Sequence, residues 1–321
     1  MALAERSTLD STMDEFILVT KAVGDKLRAA ILRALREESF GVLELCRIFE
    51  TAQPALSHHL KVLHVAGLVA KRREGNSIFY RRITTVQPAE LRATLFTALD
   101  SLELPSNVTT RIRQVHQTRR RASEQFFAQH ADALKSQQTM ISPLEAYAPT
   151  IMDAWRSAGL ERYAALEVGP GEGTLLAELA GDFDTVVGID SAPAMLEKAR
   201  EHLAGLTNVV LMEREFTALP RVRKYNLVIA AMVVHHTPSP SQFFQQAHRV
   251  MKPGGLLIVA ELCHHHHEWV RFACGDQWLG FEPRELNGWA EHAGFASPQS
   301  QFLAQKNGFR LQIHSYSKDS K

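Results

Sequence analysis

Cysteine is scarce: Cys46, Cys263 and Cys274 are the only three in 321 residues, and they stand far apart. That excludes a disulfide framework and points to a cytoplasmic protein with reduced thiols. No stretch approaches the ~18 consecutive apolar residues that cross a bilayer, so no membrane partner is expected. Met1 to Asp10 carries acids and no apolar h-region, so it does not read as a signal peptide. Glycine is missing between Gly75 and Gly159, and proline between Pro105 and Pro143. Nothing in Val108 to Leu134 therefore interrupts a helix. An excess of one charge is also lacking, with 36 Lys+Arg against 35 Asp+Glu. The 45% apolar and 22% charged shares are those of an ordinary globular chain, which excludes global disorder. The length suggests two domains, each able to bury a core without disulfides or metal.

The near-neutral total hides an asymmetry. Residues 1–150 hold 20 basic and 16 acidic side chains, whereas residues 151–321 hold 16 and 19. Residues 51–85 alone carry six basic groups and one acid, Glu74. A local basic patch on a neutral protein suggests a face that meets an anion, with nucleic acid foremost.

The first half reads mostly as helix. Phe16, Leu18, Val19, Val23, Leu27, Ile31, Leu32 and Leu35 recur near helical spacing, and a short apolar helix follows over 42–49. Gln53-Pro54 opens another helix, whose buried face is Leu56, Leu60 and Leu63 and whose end is Gly67. Two alternating runs, 68–73 and 77–83, are joined by Glu74-Gly75-Asn76, a hairpin signal. Helices followed by a hairpin describe a winged helix-turn-helix. One more helix is expected over 88–104, then the long one, basic in its first half and carrying Phe126-Phe127.

From Tyr163 onward short apolar runs alternate with helical segments: 164–168, 185–189, 208–212, 227–232 and 256–260. That alternation implies a parallel α/β sheet covered on both faces. Glu167-Val168-Gly169-Pro170-Gly171-Glu172-Gly173 stands where the first strand gives way to a helix. Glycines there let the backbone turn tightly and approach a ligand. Asp190 closes the next strand, where an acid can accept the hydroxyls of a ribose. The G-x-G-x-G spacing differs from the dinucleotide fingerprint G-x-G-x-x-G.

Residues 161–255 resemble the class I S-adenosylmethionine-dependent methyltransferases. Glu167, Gly169, Gly171 and Gly173 match that family's first motif, and Ile189 to Leu196, with Asp190, Ser191 and Met195, its ribose-binding stretch. Glu213 to Pro220 is similar to its adenine loop, with Glu215 where Asp is usual and Phe216 beside it. Tyr225 to Met232, including Ala231, is similar to the fourth strand, and Lys252-Pro253-Gly254-Gly255 to the turn before the fifth. The resemblance implies S-adenosylmethionine or S-adenosylhomocysteine as cofactor, Asp190 on the ribose, Gly169 and Gly171 near the methionine moiety, and Glu215 with Phe216 around the adenine.

Methyl transfer does not follow from cofactor binding alone. An Asn-Pro-Pro-Tyr or Asp-Pro-Pro-Tyr stretch is absent after the fourth strand, which argues against amino methylation of DNA bases. Cys263 and Cys274 are a poor match to arsenic methylation, which needs several thiols. His235, His236 and the tract after Ala260 are candidate bases, with no catalytic residue assigned. His264 to His267, with Cys263, Cys274 and Asp276, offers imidazole and thiolate that suit zinc or copper. Adjacent histidines on one element point in different directions, so the tract reads as a solvated or pocket-lining segment and no metal is assigned. Glu268 to Phe281, with Trp269, Phe272, Trp278 and Phe281, reads as an aromatic lid.

Ala52 to Leu63 with Ala66-Gly67-Leu68-Val69 resembles the recognition helix and turn of the ArsR-type regulators. Leu43 to Phe49 resembles the helix before it, and Arg72 to Arg81 the wing. The resemblance implies a reading helix in the major groove, with Gln53, Ala55, Ser57 and His58 on base edges. Lys61, Lys71, Arg72 and Arg73 would meet phosphates. Metal-sensing members carry two nearby cysteines where this chain has Cys46 alone, so thiolate sensing is not expected.

The fold class is therefore an α+β winged helix-turn-helix followed by an α/β Rossmann-like class I methyltransferase domain. The expected boundaries are 1–105 for DNA binding and dimerisation, 106–150 for a linker helix and 151–321 for the cofactor domain. The whole chain resembles ArsR-type regulators fused to such a domain, some of which sense S-adenosylhomocysteine and repress methionine-cycle genes. A homodimeric repressor on double-stranded operator DNA is the leading expectation. The alternative is an active small-molecule methyltransferase whose winged helix controls its own operon.

Overall fold

The computed structural model describes residues 2–83, 89–296 and 298–320. They form two compact units, Met1–Gln117 and Thr118–Lys321.

The first unit begins with α1 (Ala2–Val23) and α2 (Lys26–Ala34). The single helical periodicity of the sequence is broken at Gly24-Asp25. There the extended Asp25 accepts from the Arg28 N–H at 2.9 Å, satisfying one of the first-turn donors of α2. β1 (Phe40–Gly41), α3 (Val42–Phe49) and α4 (Gln53–Val65) follow. Glu44 accepts from the Gly41 N–H at 2.8 Å and holds the start of α3, while Pro54 occupies the first turn of α4. The hairpin is β2 (Val69–Glu74) and β3 (Ser77–Arg82), with Glu74 opposite Ser77. β1 joins β3 to give the order β1-β3-β2. A strand of two residues is too short to leave a period in the sequence, which is why it was not expected.

α5 (Ala89–Asp100) comes next; Pro88, where the sequence suggested its start, lies outside the described residues. Arg82 at the end of the wing grips Asp100 with two hydrogen bonds of 2.7 Å. Burial alone would raise the Asp100 carboxyl, but the guanidinium holds it below its ordinary value. Leu56, Leu60 and Leu63 are fully buried with Ile31, Leu32, Leu45 and Ile48. Truncating one such leucine to alanine costs about 2–5 kcal/mol. α6 (Ser106–Ile141) is 36 residues long, and the boundary between the units falls within it.

The second unit continues with α7 (Ala148–Arg156), β4 (Ala164–Val168), α8 (Thr174–Ala180), β5 (Thr185–Asp190), α9 (Pro193–His202) and β6 (Val209–Glu213). Then come β7 (Tyr225–Ala231), α10 (Pro240–Val250), β8 (Met251–Leu262), α11 (Trp269–Ala273), α12 (Pro283–Ala293), β9 (Gln299–Ala304) and β10 (Arg310–Ser317). The sheet order is β6-β5-β4-β7-β8-β10-β9. The first five strands are parallel; β10 runs antiparallel to both β8 and β9.

All five expected strands are present, and the fifth is longer, reaching from Met251 to Leu262. β9 and β10 were not expected. β9 is an exposed polar edge, and β10 buries Gln312 and His314 among its apolar residues. The Gln312 amide donates to the carbonyls of Leu262 and Phe281, and His314 contacts Gln312 and Ser300. Polar side chains satisfied inside the sheet erase the apolar run that marks a buried strand.

Candidate functional site

β4, β5 and β7 end level with one another, since Val168 pairs with Ile189 on one side and Ala230 on the other. Gly169, Asp190 and Ala231 therefore emerge together at the carboxyl edge, where ligands enter open α/β sheets. The turn needs its glycines. Gly169 has φ +65° and a side chain there would meet Val233 at 2.5 Å; Gly173, at φ +84°, would meet Leu203 at 2.7 Å. Gly171, at φ +55°, has open space where a Cβ would stand. Backbone can approach a ligand on that open flank.

Two acids frame the turn. Glu167 is buried with its Oε2 lacking a hydrogen-bond partner, and burial holds its carboxyl well above the usual range. Asp190 is pushed up to about 6 by burial, against the Ala192 and Ser191 N–H groups that favour its charge. Its Oδ1 accepts from the Ala192 N–H at 2.8 Å. An unpartnered buried carboxylate oxygen, an open glycine flank and an acid at the next strand end fit the amino-acid and ribose parts of an S-adenosylmethionine-type cofactor.

The other expected residues lie around this edge in different surroundings. Ser191 is exposed, and Met195 in α9 packs with Ala192 against Phe126 and Phe127 of α6. Glu215 is held by Arg120 at 2.6 Å and accepts from the Thr217 hydroxyl at 2.6 Å. Phe216 turns inward onto Phe243, with ring centroids 5.1 Å apart. The aromatic lid over 268–281 is not what covers the edge. Trp278 and Phe281 are core residues, and Phe272 is 80% exposed. Instead Phe127 meets the His236 ring edge-on at 4.9 Å, and Arg119 of α6 donates to the Pro238 carbonyl.

Met232 follows β7 in the left-handed region at φ +56°, rare for a residue with a side chain, and leads into Val233–His236. His235 and His236 are both buried. Burial alone would lower the His235 pKa, but Glu261 and Asp276 override it and raise it to about 9. His236 is held well below its ordinary value by burial and by the neighbouring His235 charge. Burial pushes Asp276 up to about 7. Sequence reasoning did not single out Glu261. Its signal was an acid at the carboxyl end of an otherwise apolar strand.

The histidine tract does not converge. His264 contacts the Leu279 carbonyl at 2.9 Å, His265 and His267 lie against Phe309, and His266 is exposed. Burial lowers the His265 pKa to about 3.

In the first unit, Gln53, Ala55, Ser57, His58 and Lys61 are all exposed on α4, opposite the buried leucines. Lys71 and Arg73 are exposed on β2, whereas Arg72 forms an ion pair of 2.5 Å with the buried Glu74.

The sheet order and the glycine turn with its strand-end acid define a class I methyltransferase-type α/β domain. Residues 161–294 match the family model of a methyltransferase domain, and residues 25–71 that of the bacterial regulatory proteins of the arsR family. The chain thus joins an ArsR-type helix-turn-helix region to a methyltransferase domain. It is 32% identical over 117 residues to an arsenite methyltransferase of Halobacterium salinarum, covering 35% of this chain and 27% of that protein. It is 27% identical over 154 residues to a ubiquinone biosynthesis O-methyltransferase of Klebsiella pneumoniae, covering 43% of this chain and 64% of the relative. The chain spans less than two thirds of either relative. A chain of the Haloferax volcanii complex between the Trm112 methyltransferase activator and a methyltransferase shares the fold, at 16% identity and TM-score 0.50, over 60% of this chain and 97% of that one.

Proposed function

We propose that this chain is a transcription repressor whose methyltransferase domain binds S-adenosylmethionine or S-adenosylhomocysteine as an effector. One observation carries the reading: a single chain holds both an exposed reading face on α4 and a glycine-rich cofactor turn flanked by Glu167 and Asp190. The match to a methyltransferase domain supports a cofactor of this type. In this reading Gly169 and Gly171 run along the methionine moiety, and the unpartnered oxygen of Glu167 takes its ammonium group. Asp190 accepts from the ribose, beside Ser191. Glu215, Phe216, Met195 and Ala231 belong to the adenine end, with Gly173 holding the start of α8.

On the DNA side, Gln53, Ala55, Ser57 and His58 read bases, while Lys61, Lys71 and Arg73 supply the basic surface and Arg72, paired with Glu74, adds little to it. The repressor is a cytoplasmic homodimer in this reading. Met13, Phe16 and Ile17 are exposed at helical spacing on α1, an apolar row that suits a second copy. Two copies read half-sites about one helical turn apart. Methionine-cycle genes are the proposed targets, on the resemblance of the whole chain. No helix among the described residues is long and apolar enough to cross a membrane.

The rival is an active methyltransferase on a small molecule, which the names of the relatives favour. Against it, His235 and His236 are both buried, with the Phe127 ring on His236. Arsenic chemistry fits poorly, because burial pushes the Cys274 thiol up to about 12 and raises Cys263 too. Calorimetry with each cofactor form, followed by operator titrations with and without it, tests the proposal. The expected result is cofactor binding and a several-fold shift in operator affinity with S-adenosylhomocysteine. Equal operator affinity in every ligand state, together with multiple-turnover methylation of a metabolite, would establish the rival.

A further inference from the structure

A second group of buried polar side chains lies beside the glycine turn, linked to it through the contact between Val233 and Gly169. His235 and His236 come from the segment after β7, Glu261 from β8 and Asp276 from the loop after α11. Glu261 binds His235 Nδ1 at 2.7 Å and also accepts from the His235 backbone N–H at 3.2 Å. The ring is thereby fixed, with Nε2 left on the side of Asp276. Asp276 Oδ1 lies 3.7 Å from His235 Nε2 and 3.9 Å from His236 Nδ1, both beyond hydrogen-bonding distance.

Asp276 is 3% exposed, and neither of its oxygens has a hydrogen-bond partner; His236 Nδ1, the nitrogen on that side, has the Gly275 carbonyl at 3.4 Å. Burying a carboxylate with both oxygens unsatisfied is costly unless a cation stands beside it; in the metal-free chain the protonated His235 ring, 3.7 Å away, is that cation, and a bound metal ion would take its proton's place. Among the described residues, one atom each from His235, His236 and Asp276 falls within 4.8 Å of the others.

We propose that His235, His236 and Asp276 form a binding site for a divalent transition ion of the zinc class, oriented by Glu261. Two imidazoles and one carboxylate are a donor set that such ions take, whereas magnesium and calcium prefer oxygen alone. Bonds of about 2.0–2.1 Å in a tetrahedron set ligand atoms about 3.4 Å apart. The observed 3.7 and 3.9 Å need a contraction of a few tenths of an ångström, and the two imidazole nitrogens, within 4.8 Å of each other, need to close by up to about 1.4 Å. Glu261 on the far nitrogen of His235 is the arrangement that orients a metal-bound imidazole and raises its basicity. The ion ties the segment after β7 to the loop after α11. That same loop carries Gly275, where a side chain would strike Phe126 of α6 at 2.3 Å. The ion therefore orders the surface on which the second half of α6 rests. This inference is independent of the effector reading.

The test uses the full chain stripped with a chelator and titrated with Co²⁺ as a spectroscopic probe, then with Zn²⁺ in competition. One Co²⁺ per chain should bind with the visible bands of a four-coordinate ion, and Zn²⁺ should displace it. Glu261→Gln should weaken binding about 10–100-fold, and Asp276→Asn and His236→Gln at least tenfold each. His266→Ala, in the exposed part of the tract, should leave binding unchanged. Circular dichroism of each metal-free variant establishes folding; if Asp276→Asn does not fold, His236→Gln and the unaltered chain decide. Absence of a four-coordinate Co²⁺ spectrum in the unaltered chain overturns the proposal. So does unchanged affinity in folded Asp276→Asn and His236→Gln, or loss of binding only with His266→Ala.

Discussion

Asp190 is a carboxylate whose environment makes its charge negotiable near neutral pH. Burial raises it to about 6. In the proposed pocket, a ribose donating hydrogen bonds to the ionised form lowers that value in the complex. Cofactor affinity should therefore be full above about pH 6 and fall as pH drops through it. Asp190→Ala should weaken binding by about 1–3 kcal/mol and remove the acid limb; calorimetry across that range decides, and an unaltered profile would place the ribose elsewhere. The place of Asp190 at a strand end beside the glycine turn was legible because an acid ending an apolar strand next to such a turn is a local pattern. Glu261 and Asp276 were not legible as a pair. They are fifteen positions apart in sequence, and only the packing of the loop after α11 against β8 and the segment after β7 brings both to His235. The four aromatic residues over 269–281 look alike in sequence. Only tertiary packing decides that Trp278 and Phe281 are core while Phe272 faces water.

At the scale of elements, α4 was readable from Leu56, Leu60 and Leu63, whose burial leaves Gln53, Ala55, Ser57, His58 and Lys61 exposed on the opposite face. The wing was readable in outline, but its charge was not. Glu74 is buried and paired with Arg72, so the hairpin offers less positive charge than a count of its residues suggests. Replacing Lys71 and Arg73 together by alanine should weaken binding to all DNA sequences alike. The salt slope should shrink by up to about 2, at about 0.9 per phosphate contact. Gln53→Ala or Ser57→Ala should instead change which operator is preferred. Titrations on matched and scrambled operators at several salt concentrations separate the two classes; a changed preference from the lysine–arginine pair alone would reverse the assignment. β10 marks the opposite limit of legibility, since Gln312 and His314 find their partners only after the sheet forms.

For the molecule as a whole, the question is whether filling the pocket changes the grip on DNA. A ligand moves that equilibrium only through different affinities for the free and DNA-bound states. A tenfold shift corresponds to about 1.4 kcal/mol, and DNA must alter ligand affinity by the same factor. α6 is the proposed carrier: it has no internal glycine or proline, and its Phe127 packs with Ala192 and Met195 next to Asp190. Phe127→Ala should reduce the ligand-induced shift while the separate affinities for operator and cofactor persist. Operator titrations of the variant with each cofactor form measure this, and a full shift in Phe127→Ala would remove α6 from the path.

Glu167 has a consequence for how the two cofactor forms differ. Buried with an unpartnered oxygen, its carboxyl is held well above the usual range by desolvation, so it takes a proton more readily than an exposed glutamate. In the proposed pocket, an arriving ammonium group favours the ionised carboxylate and so drives proton release. S-adenosylhomocysteine carries one ammonium and one carboxylate, so it adds no net charge of its own, and a proton lost from Glu167 makes the complex more negative than the empty domain. S-adenosylmethionine adds a sulfonium, so its complex is one unit more positive than that of S-adenosylhomocysteine. The two ligands thus become distinguishable to the protein by net charge as well as by shape, and the form that has lost its methyl group is the one that makes the complex more anionic.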